Sequence, residues 1–190
     1  MLQHALKEWA VICEALGQGR QAILLRKGGI AETGGEFNVE EMRFWLFPTY
    51  THQQTDGVND ELKPLLEEVL VDRPPAGIVR LRYWAEVTGL FRIGAELSAL
   101  LLSHLHGWSE EAVRMRFNYR APGLNLLAVR VYRAAMVHEV PELPRYAGCH
   151  SWVELEAPLP TEGSTPVLDE DSYHIVMKQL DLLLNPTAFA

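Results

Sequence analysis

Hydrophobic and polar positions follow two different periods along this 190-residue chain. Apolar residues recur every three or four positions over residues 2–16, which predicts one face of an α-helix. The unbroken apolar run at residues 22–25 predicts a buried strand. A second strand is predicted over residues 42–47, and Pro48 is expected to end it because proline has no N–H to donate to a neighbouring strand.

The second half of the chain predicts longer strands separated by short helices. Residues 78–87 and 124–134 alternate between apolar and polar side chains, as strands with two different faces do. Helical spacing predicts helices over residues 62–69, 97–105 and 169–184. Ser109 predicts the N-cap of a further helix over residues 109–119, because Glu110 and Glu111 follow it at the positive helix end. Because no strand–helix–strand rhythm repeats, the expected class is α+β. We expect a mixed, mostly antiparallel sheet or a partly open β-barrel with flanking helices, in one compact domain over residues 1–190.

Composition indicates a globular domain of the cytoplasm. The chain is 48% hydrophobic and 22% charged, and its length is sufficient for a sizeable core. Two cysteines, Cys13 and Cys149, are too few for a disulfide framework, so we expect reduced thiols, with Cys149 buried. The first residues lack the apolar core of a signal peptide, and no apolar run approaches the roughly 18 residues of a membrane span.

Charge is distributed unevenly along the chain. The net charge of −8 by itself disfavours binding to nucleic acid. Residues 78–145 nevertheless contain nine arginines and six acidic residues, whereas the rest of the chain contains eight basic and nineteen acidic residues. The middle of the chain is therefore the expected region of contact with an anionic ligand.

A cationic loop follows the first predicted buried strand. It consists of Arg26, Lys27, Gly28 and Gly29. Successive backbone N–H groups in such a loop can converge on one anion, and the two cations add charge, so a phosphate site is one interpretation. The other is a charged turn that uses glycine for its backbone angles, because the spacing matches neither a Walker motif nor the dinucleotide-binding glycine pattern.

Two predicted strands offer a basic-aromatic face. Alternation places Arg80, Arg82 and Trp84 on one side of the first strand, and Arg130 and Tyr132 on one side of the second. If the strands are adjacent, the guanidiniums could bind phosphates while the rings stack on bases of single-stranded or flipped-out nucleotides. The alternative is a face covered by helices, with its arginines paired to nearby glutamates.

A histidine in a polar loop suggests a catalytic alternative. His52 follows the second predicted strand, and with Glu36 it could form an acid–base pair near neutral pH. The other interpretation is a hydrogen bond that only stabilises the loop. His104 and His106 would lie about 200° apart on a helix, and no dense cluster of ligating residues exists, so we expect no metal and no other cofactor.

Several strings along the chain resemble a known family. They lie at residues 5–11, at residues 24–30 with the string Arg-Lys-Gly-Gly-Ile, at residues 47–53, and at residues 146–153. Together they resemble a bacterial domain-of-unknown-function family, numbered 1802, over nearly the whole chain. The resemblance implies no established activity. Some members of that family occur alongside a restriction-endonuclease-type domain, which points towards nucleic-acid processing.

A second resemblance concerns the middle of the chain. The order strand, two helices, strand over residues 78–134 is similar to PUA-like barrels of the ASCH type. Such barrels commonly bind RNA or modified bases, so the resemblance implies a ligand of that class and a PUA-like fold.

Three functions are consistent with these patterns. The first is a nucleic-acid-associated binding domain that contacts RNA or single-stranded DNA through the cationic loop and the basic-aromatic face. The second is a small enzyme acting on a nucleotide or phosphorylated metabolite, with Lys27, His52 and Glu36 around one cleft. The third is an interaction module that supports a partner enzyme. The first depends on the arginines near positions 80 and 130 sharing one accessible side of a sheet with Trp84 and Tyr132, and the oligomeric state is left open.

Overall fold

The computed structural model describes residues 1–27, 39–51 and 53–185. The strands in these ranges are β1 (Leu2–Trp9), β2 (Ile23–Arg26), β3 (Arg43–Thr49), β4 (Ile78–Ile93), β5 (Leu124–Pro141), β6 (Trp152–Leu159) and β7 (Thr165–Pro166). The α-helices are α1 (Ala10–Gly17), α2 (Lys63–Val71), α3 (Glu96–Leu101), α4 (Glu110–Asn118) and α5 (Glu170–Leu184). None of the helices in the described ranges is both long enough and apolar enough to cross a lipid bilayer.

One sheet organises the molecule. Its strands lie in the order β2-β5-β4-β3-β1-β6, and the short β7 pairs with β5. Every pairing is antiparallel except that of β1 with β3, which runs in parallel register from Ala5 opposite Trp45 to Trp9 opposite Thr49. The predicted class, α+β with a mixed and mostly antiparallel sheet, is therefore confirmed.

The sheet curls so that its two ends approach each other. Arg26, the last residue of β2, donates hydrogen bonds to the carbonyl oxygen of Lys7 in β1 and to the hydroxyl of Ser151, just before β6. Strand β2 is first in the sheet order and β6 is last. The hydrogen bonds of Arg26 thus join opposite ends of the sheet into a partly open barrel.

The prediction of a helix over residues 2–16 is wrong for its first half, because residues 2–9 form strand β1. Ala5 and Leu6 are both fully buried but lie in different hydrophobic clusters, one on each side of the sheet. A strand covered on both faces has no polar alternation, so its apolar spacing resembles that of a helix. The predicted end at Pro48 is also wrong, because β3 continues to Thr49 while its pairing with β4 stops at Trp45.

A bulge interrupts the long β4–β5 ladder. Leu81 lies opposite His138, whereas Tyr83 lies opposite Arg133, so one residue of β4 faces four residues of β5. Leu81 therefore packs in the cluster on one side of the sheet and Tyr83 in the cluster on the other. The strict alternation predicted over residues 78–87 is wrong at this point, because a bulge changes the face to which later side chains point.

A neutral histidine is built into the core between α3 and α4. His106 is 4% exposed, and its Nδ1 accepts a hydrogen bond from the backbone N–H of Trp108 at 3.2 Å. Burial disfavours the charged imidazolium and lowers the pKa of His106 from 6.5 to about 4.

We expect the protein to lose stability as pH falls through this range. Above pH 6.5 the histidine is neutral in both the folded and the unfolded chain, whereas between 6.5 and 4 only the unfolded chain takes up the proton. The expected loss in the free energy of unfolding is about 2 kcal/mol between about pH 7.5 and pH 5. Urea denaturation of the wild type and of His106→Gln measures it, since carboxylates titrate alike in both. An identical pH dependence of the two proteins would contradict the assignment.

Candidate functional site

The predicted basic-aromatic face is not formed, because the β4–β5 bulge separates its members. Arg80 and Arg82 both form ion pairs with Asp72, the residue that follows α2, at 3.1 and 2.6 Å. Arg80 also pairs with Glu139 at 3.0 Å, and Arg82 lies 3.8 Å from a carboxylate oxygen of Glu14 in α1. These two guanidiniums are held in ion pairs beside α1 and α2.

The aromatic members lie on the other side of the sheet. Trp84 and Tyr132 stack with their ring centroids 4.1 Å apart and an interplanar angle of 8°. Trp84 is 8% exposed, and its indole N–H donates to the hydroxyl of Ser164 at 2.9 Å. Because each ring covers a face of the other, this pair does not form an open platform for bases.

Arg130 is separated from both groups. Its guanidinium pairs with Glu170 of α5 at 2.7 Å and lies over the ring of Tyr173. The expectation of one shared accessible face is therefore wrong, and the nucleic-acid hypothesis loses the basis that this face would have given it. Ligand contact by any one of these arginines or aromatic residues stays a prediction.

The first two residues of the predicted cationic loop have structural contacts. The Arg26 guanidinium pairs with Glu8 at 2.8 Å, and their side chains are only 11% and 2% exposed. The Lys27 ammonium donates to the carbonyl oxygens of Phe117 and Gly123 at 3.1 and 2.8 Å, and also to that of Ala121. Lys27 therefore fixes the turn between α4 and β5, where a cation is favoured by the carbonyl groups at the helix end.

Other predicted site residues fall outside the described part of the chain. These are Gly28, Gly29, Glu36 and His52, whose binding and catalytic roles stay predictions. Within the described ranges, no group of three His, Cys, Asp or Glu side chains is placed to hold a metal ion.

A large cleft opens where the parallel strands β1 and β3 end. Its volume is about 780 Å³, within the range typical of ligand sites. One wall is formed by α4, another by residues 73–79, and a third by residues 146–151. Among the described residues, the charged side chains that line it are five cations, Lys7, Arg26, Lys27, Arg73 and Arg116, and two carboxylates, Glu8 and Glu142. The cleft is thus cationic in a chain whose net charge is −8.

Arg116 is the most distinctive of these cations. Its guanidinium carbon lies 3.5 Å from the ring centroid of Trp108 and 5.7 Å from that of Trp9, and these two rings meet edge to face. Among the described residues it forms neither an ion pair nor a hydrogen bond. Desolvation lowers the pKa of Arg116 to about 10, although Glu8 opposes the shift, so the guanidinium is still charged at neutral pH.

Three more arginines repeat this arrangement around the cleft. Each guanidinium lies over an aromatic ring that lines the cleft, at 5.1 to 5.3 Å from its centroid: Arg73 over Tyr50, Arg120 over Tyr119, and Arg145 over Tyr146. In the described part of the chain, none of these three forms an ion pair or a side-chain hydrogen bond. We call these three arginines and Arg116 the stacked arginines.

Ion-paired arginines lie elsewhere. Arg43, Arg80, Arg82, Arg114 and Arg130 all pair with carboxylates, and none of them lines the cleft. Arg26 is the exception, since it both lines the cleft and pairs with Glu8. Sequence reasoning missed the stacked arginines, although two of them stand next to their tyrosine in the sequence, a signal that was available.

A small polar group completes the third wall. The Lys7 ammonium donates to the carbonyl oxygen of Gly148 at 2.9 Å, and Cys149 and His150 follow directly. Desolvation lowers the pKa of Lys7, opposed by Cys149 and Glu142, and desolvation together with the charge of Lys7 lowers the pKa of His150. Cys149 is exposed, so its predicted burial is wrong; it lies in a loop of this wall before β6 begins.

Removing the carboxylate that holds Arg26 should destabilise the fold. In Glu8→Gln the guanidinium loses its buried ionic partner, and we expect the free energy of unfolding to fall by about 3 kcal/mol. Glu86→Gln is the matched control, because Glu86 accepts from Arg43 in an exposed pair on the same sheet, and its loss should cost less than about 1 kcal/mol. Chemical denaturation of both variants measures these changes in the free energy of unfolding. Equal losses in the two variants would contradict the structural role of the pair between Glu8 and Arg26.

The two thiols should differ in reactivity. Burial raises the pKa of Cys13 well above its usual value, whereas Cys149 is exposed in the cleft wall. A chromogenic disulfide reagent should modify one thiol in the native protein and the second only after denaturation. The Cys149→Ser variant should show no rapid native reaction, and a fast reaction in that variant would contradict the burial of Cys13.

Comparison with known proteins gives a family but no activity. Three solved structures of ASCH from Zymomonas mobilis, the unaltered protein and two single-residue mutants, are each 11% identical to the chain, with TM-scores of 0.45, 0.44 and 0.42. The alignments cover 93–94% of this chain and 94–98% of those chains. No curated protein matches. The family model for the domain of unknown function DUF1802 matches residues 5–179, so the chain belongs to the DUF1802 family.

Proposed function

We propose that the cleft binds single-stranded nucleic acid, either RNA or single-stranded DNA. The observation that carries this proposal is the set of stacked arginines. They have no ion pair among the described residues, and each lies over a ring that lines one cationic cleft, which for Arg116 is the ring of Trp9. Elsewhere in the described chain, arginines on the surface are mostly neutralised by carboxylates. Of the seven described arginines without an ion pair, four are the stacked arginines, whereas Arg20, Arg92 and Arg133 do not line the cleft.

The arginine–ring geometry suits a phosphate ligand. A guanidinium held over a ring by cation–π contact keeps its N–H groups available, and these can bind phosphate oxygens in a fork. The ring also limits the conformations of the side chain, so less entropy is lost when the phosphate binds. Cation–π contact thus holds Arg116 and Arg73 in place without neutralising them.

One of the aromatic partners suits an unpaired base. Tyr119 is 45% exposed at the end of α4, so it offers ring surface on which a base can stack. Stacking is worth about 1–3 kcal/mol per base and tolerates any sequence. A duplex fits poorly, because its bases are hidden and the acidic surface outside the cleft repels its two phosphate backbones. A segment whose bases are already unpaired meets neither obstacle.

The enzymatic alternative has less support from the described residues. All three donors of the Lys27 ammonium are directed to main-chain carbonyl oxygens. That residue is therefore a poor candidate for a proton-transfer or phosphate-binding role. The parts assigned to His52 and Glu36, and the role of an interaction module, stay predictions.

Binding should be measurable by fluorescence anisotropy with labelled single-stranded RNA and DNA across a salt series. Affinity should fall as salt rises, because each phosphate contact releases counterions. Arg73 and Arg145 are both exposed, so Arg73→Gln and Arg145→Gln remove charge without disturbing the core. Each should weaken binding by about 1 kcal/mol and reduce the slope of log affinity against log salt by about 0.7.

Matched controls change the same charge outside the cleft. Arg114→Gln alters an exposed arginine of α4 that pairs with Glu110, and Arg43→Gln alters one that pairs with Glu86. Both should bind oligonucleotides as the wild type does. Absence of binding at low salt, or an equal effect of cleft and control variants, would refute a nucleic-acid site in the cleft.

A further inference from the structure

We propose that Lys7 is a nucleophilic amine that forms an imine with a phosphate-bearing aldehyde held in the cleft. The phosphate part of this inference rests on the proposed anion-binding role of the stacked arginines. The amine part rests on the separate environment of Lys7, which differs from that of the other lysines in the chain. The two parts can be tested apart.

Lys7 has an amine that is positioned but not neutralised. It lies near the end of β1 and lines the cleft, and its ammonium donates one hydrogen bond, to the carbonyl oxygen of Gly148 at 2.9 Å. Within the described ranges no carboxylate lies within ion-pair distance of it. Two of its three donors are therefore left for a ligand in the cleft.

The other three lysines lack this combination. Lys27 directs its donors to three carbonyl oxygens. Lys63 is paired with Asp60 at 2.6 Å on the surface, and this partner raises the pKa of Lys63. Lys178 is exposed on α5, outside the cleft. All four lysines lie in the described part of the chain, and Lys7 is the one that both lines the cleft and has donors without a partner.

The surroundings of Lys7 favour the neutral amine that attacks a carbonyl. Desolvation lowers the pKa of Lys7, and the opposing influences come from Cys149 and Glu142. His150 lies close enough for the charge of Lys7, after desolvation, to lower the pKa of that imidazole too. The imidazole therefore stays neutral at pH 7 and adds no positive charge near the amine. Each unit by which a lysine pKa falls increases its neutral fraction about tenfold at neutral pH.

The proposed reaction is a condensation that needs no redox partner. The Lys7 ammonium loses one proton to solvent, and the amine nitrogen then attacks the aldehyde carbon. One proton moves through solvent from the attacking nitrogen to the carbonyl oxygen, giving a neutral carbinolamine. Its hydroxyl takes up a second proton from solvent and leaves as water, and the last proton of the nitrogen returns to solvent as the C=N bond forms. The product is an imine that water can hydrolyse back to amine and aldehyde.

The ligand class is an aldehyde that carries a phosphate, since Arg116 and Lys7 line the same cleft. Such a ligand has two sources: an abasic nucleotide in a single strand, whose sugar opens to an aldehyde, or a small free phosphorylated aldehyde. Both would place an anion among the stacked arginines and a carbonyl within reach of the amine. The experiment therefore contains one arm for each source.

Borohydride trapping tests the proposal, because reduction converts the imine to a stable secondary amine. The probes are pyridoxal phosphate, pyridoxal without its phosphate as the matched control, and a single-stranded DNA that contains one abasic site. Peptide mass mapping then locates the adduct. We expect pyridoxal phosphate to label Lys7 at least about tenfold faster than Lys63, because the pKa of Lys7 is lowered whereas Asp60 raises that of Lys63. Pyridoxal should label Lys7 more slowly than pyridoxal phosphate does.

Variants identify the amine. Lys7→Arg keeps a cation but has no nucleophilic amine, so the adduct at this position should be lost, whereas Lys63→Arg should keep it. Arg116→Lys, chosen to preserve the positive charge, should reduce the advantage of pyridoxal phosphate over pyridoxal. Labelling spread evenly over the lysines, or an undiminished adduct yield in Lys7→Arg, would overturn the proposal.

The two proposals fail in different ways. If the wild type binds intact oligonucleotides but gives no adduct with either aldehyde, the role of Lys7 is refuted and nucleic-acid binding stands. If pyridoxal phosphate labels Lys7 while neither intact nor abasic strands bind, nucleic-acid binding is refuted and the small aldehyde is the ligand. Adduct formation with the abasic strand supports both.

Discussion

The ion pair between Arg26 and Glu8 is the interaction on which the rest of the structure depends. It joins β2 to β1, strands that are separated by three others in the sheet order. Because both side chains are almost fully buried, loss of either partner would leave the other charge buried without a counterion, at a large cost in the free energy of unfolding. The same guanidinium reaches Ser151, so the wall that carries Cys149 and His150 is tied to the same point. The contacts of Arg26 therefore close the sheet and also hold one wall of the cleft in place.

The sequence predicted the parts of the fold that depend on local patterns. Strands β2, β4 and β5 were visible from apolar runs and alternation, and helix α4 from Ser109, whose hydroxyl accepts from Ala112 N–H as an N-cap does. Strand β1 was misread because burial on both faces removes the alternation that distinguishes a strand. The β4–β5 bulge was invisible because it depends on which residue of β5 lies opposite Tyr83.

The difference between local patterns and contacts of distant segments also explains which site residues could be predicted. Arg26 and Lys27 were identified from their place after a buried strand, and both do lie at the cleft. Their contacts are structural, because their partners come from β1 and from the α4–β5 turn, far away in sequence. Arg116 and Lys7 were missed, since what distinguishes them is a neighbouring ring or the lack of a carboxylate. Such features exist only after distant segments have come together.

The parallel register of β1 and β3 has a consequence for how this family can vary. Successive strand residues face opposite sides, so Lys7 is placed beside Gly148 while Glu8 turns inwards to Arg26. A slip of one residue between the two strands would exchange these neighbours and bury an amine where the carboxylate now lies. Which side chains of β1 face the cleft thus depends on the register between β1 and β3. Substitutions at these positions must therefore preserve the pairing of Ala5 with Trp45.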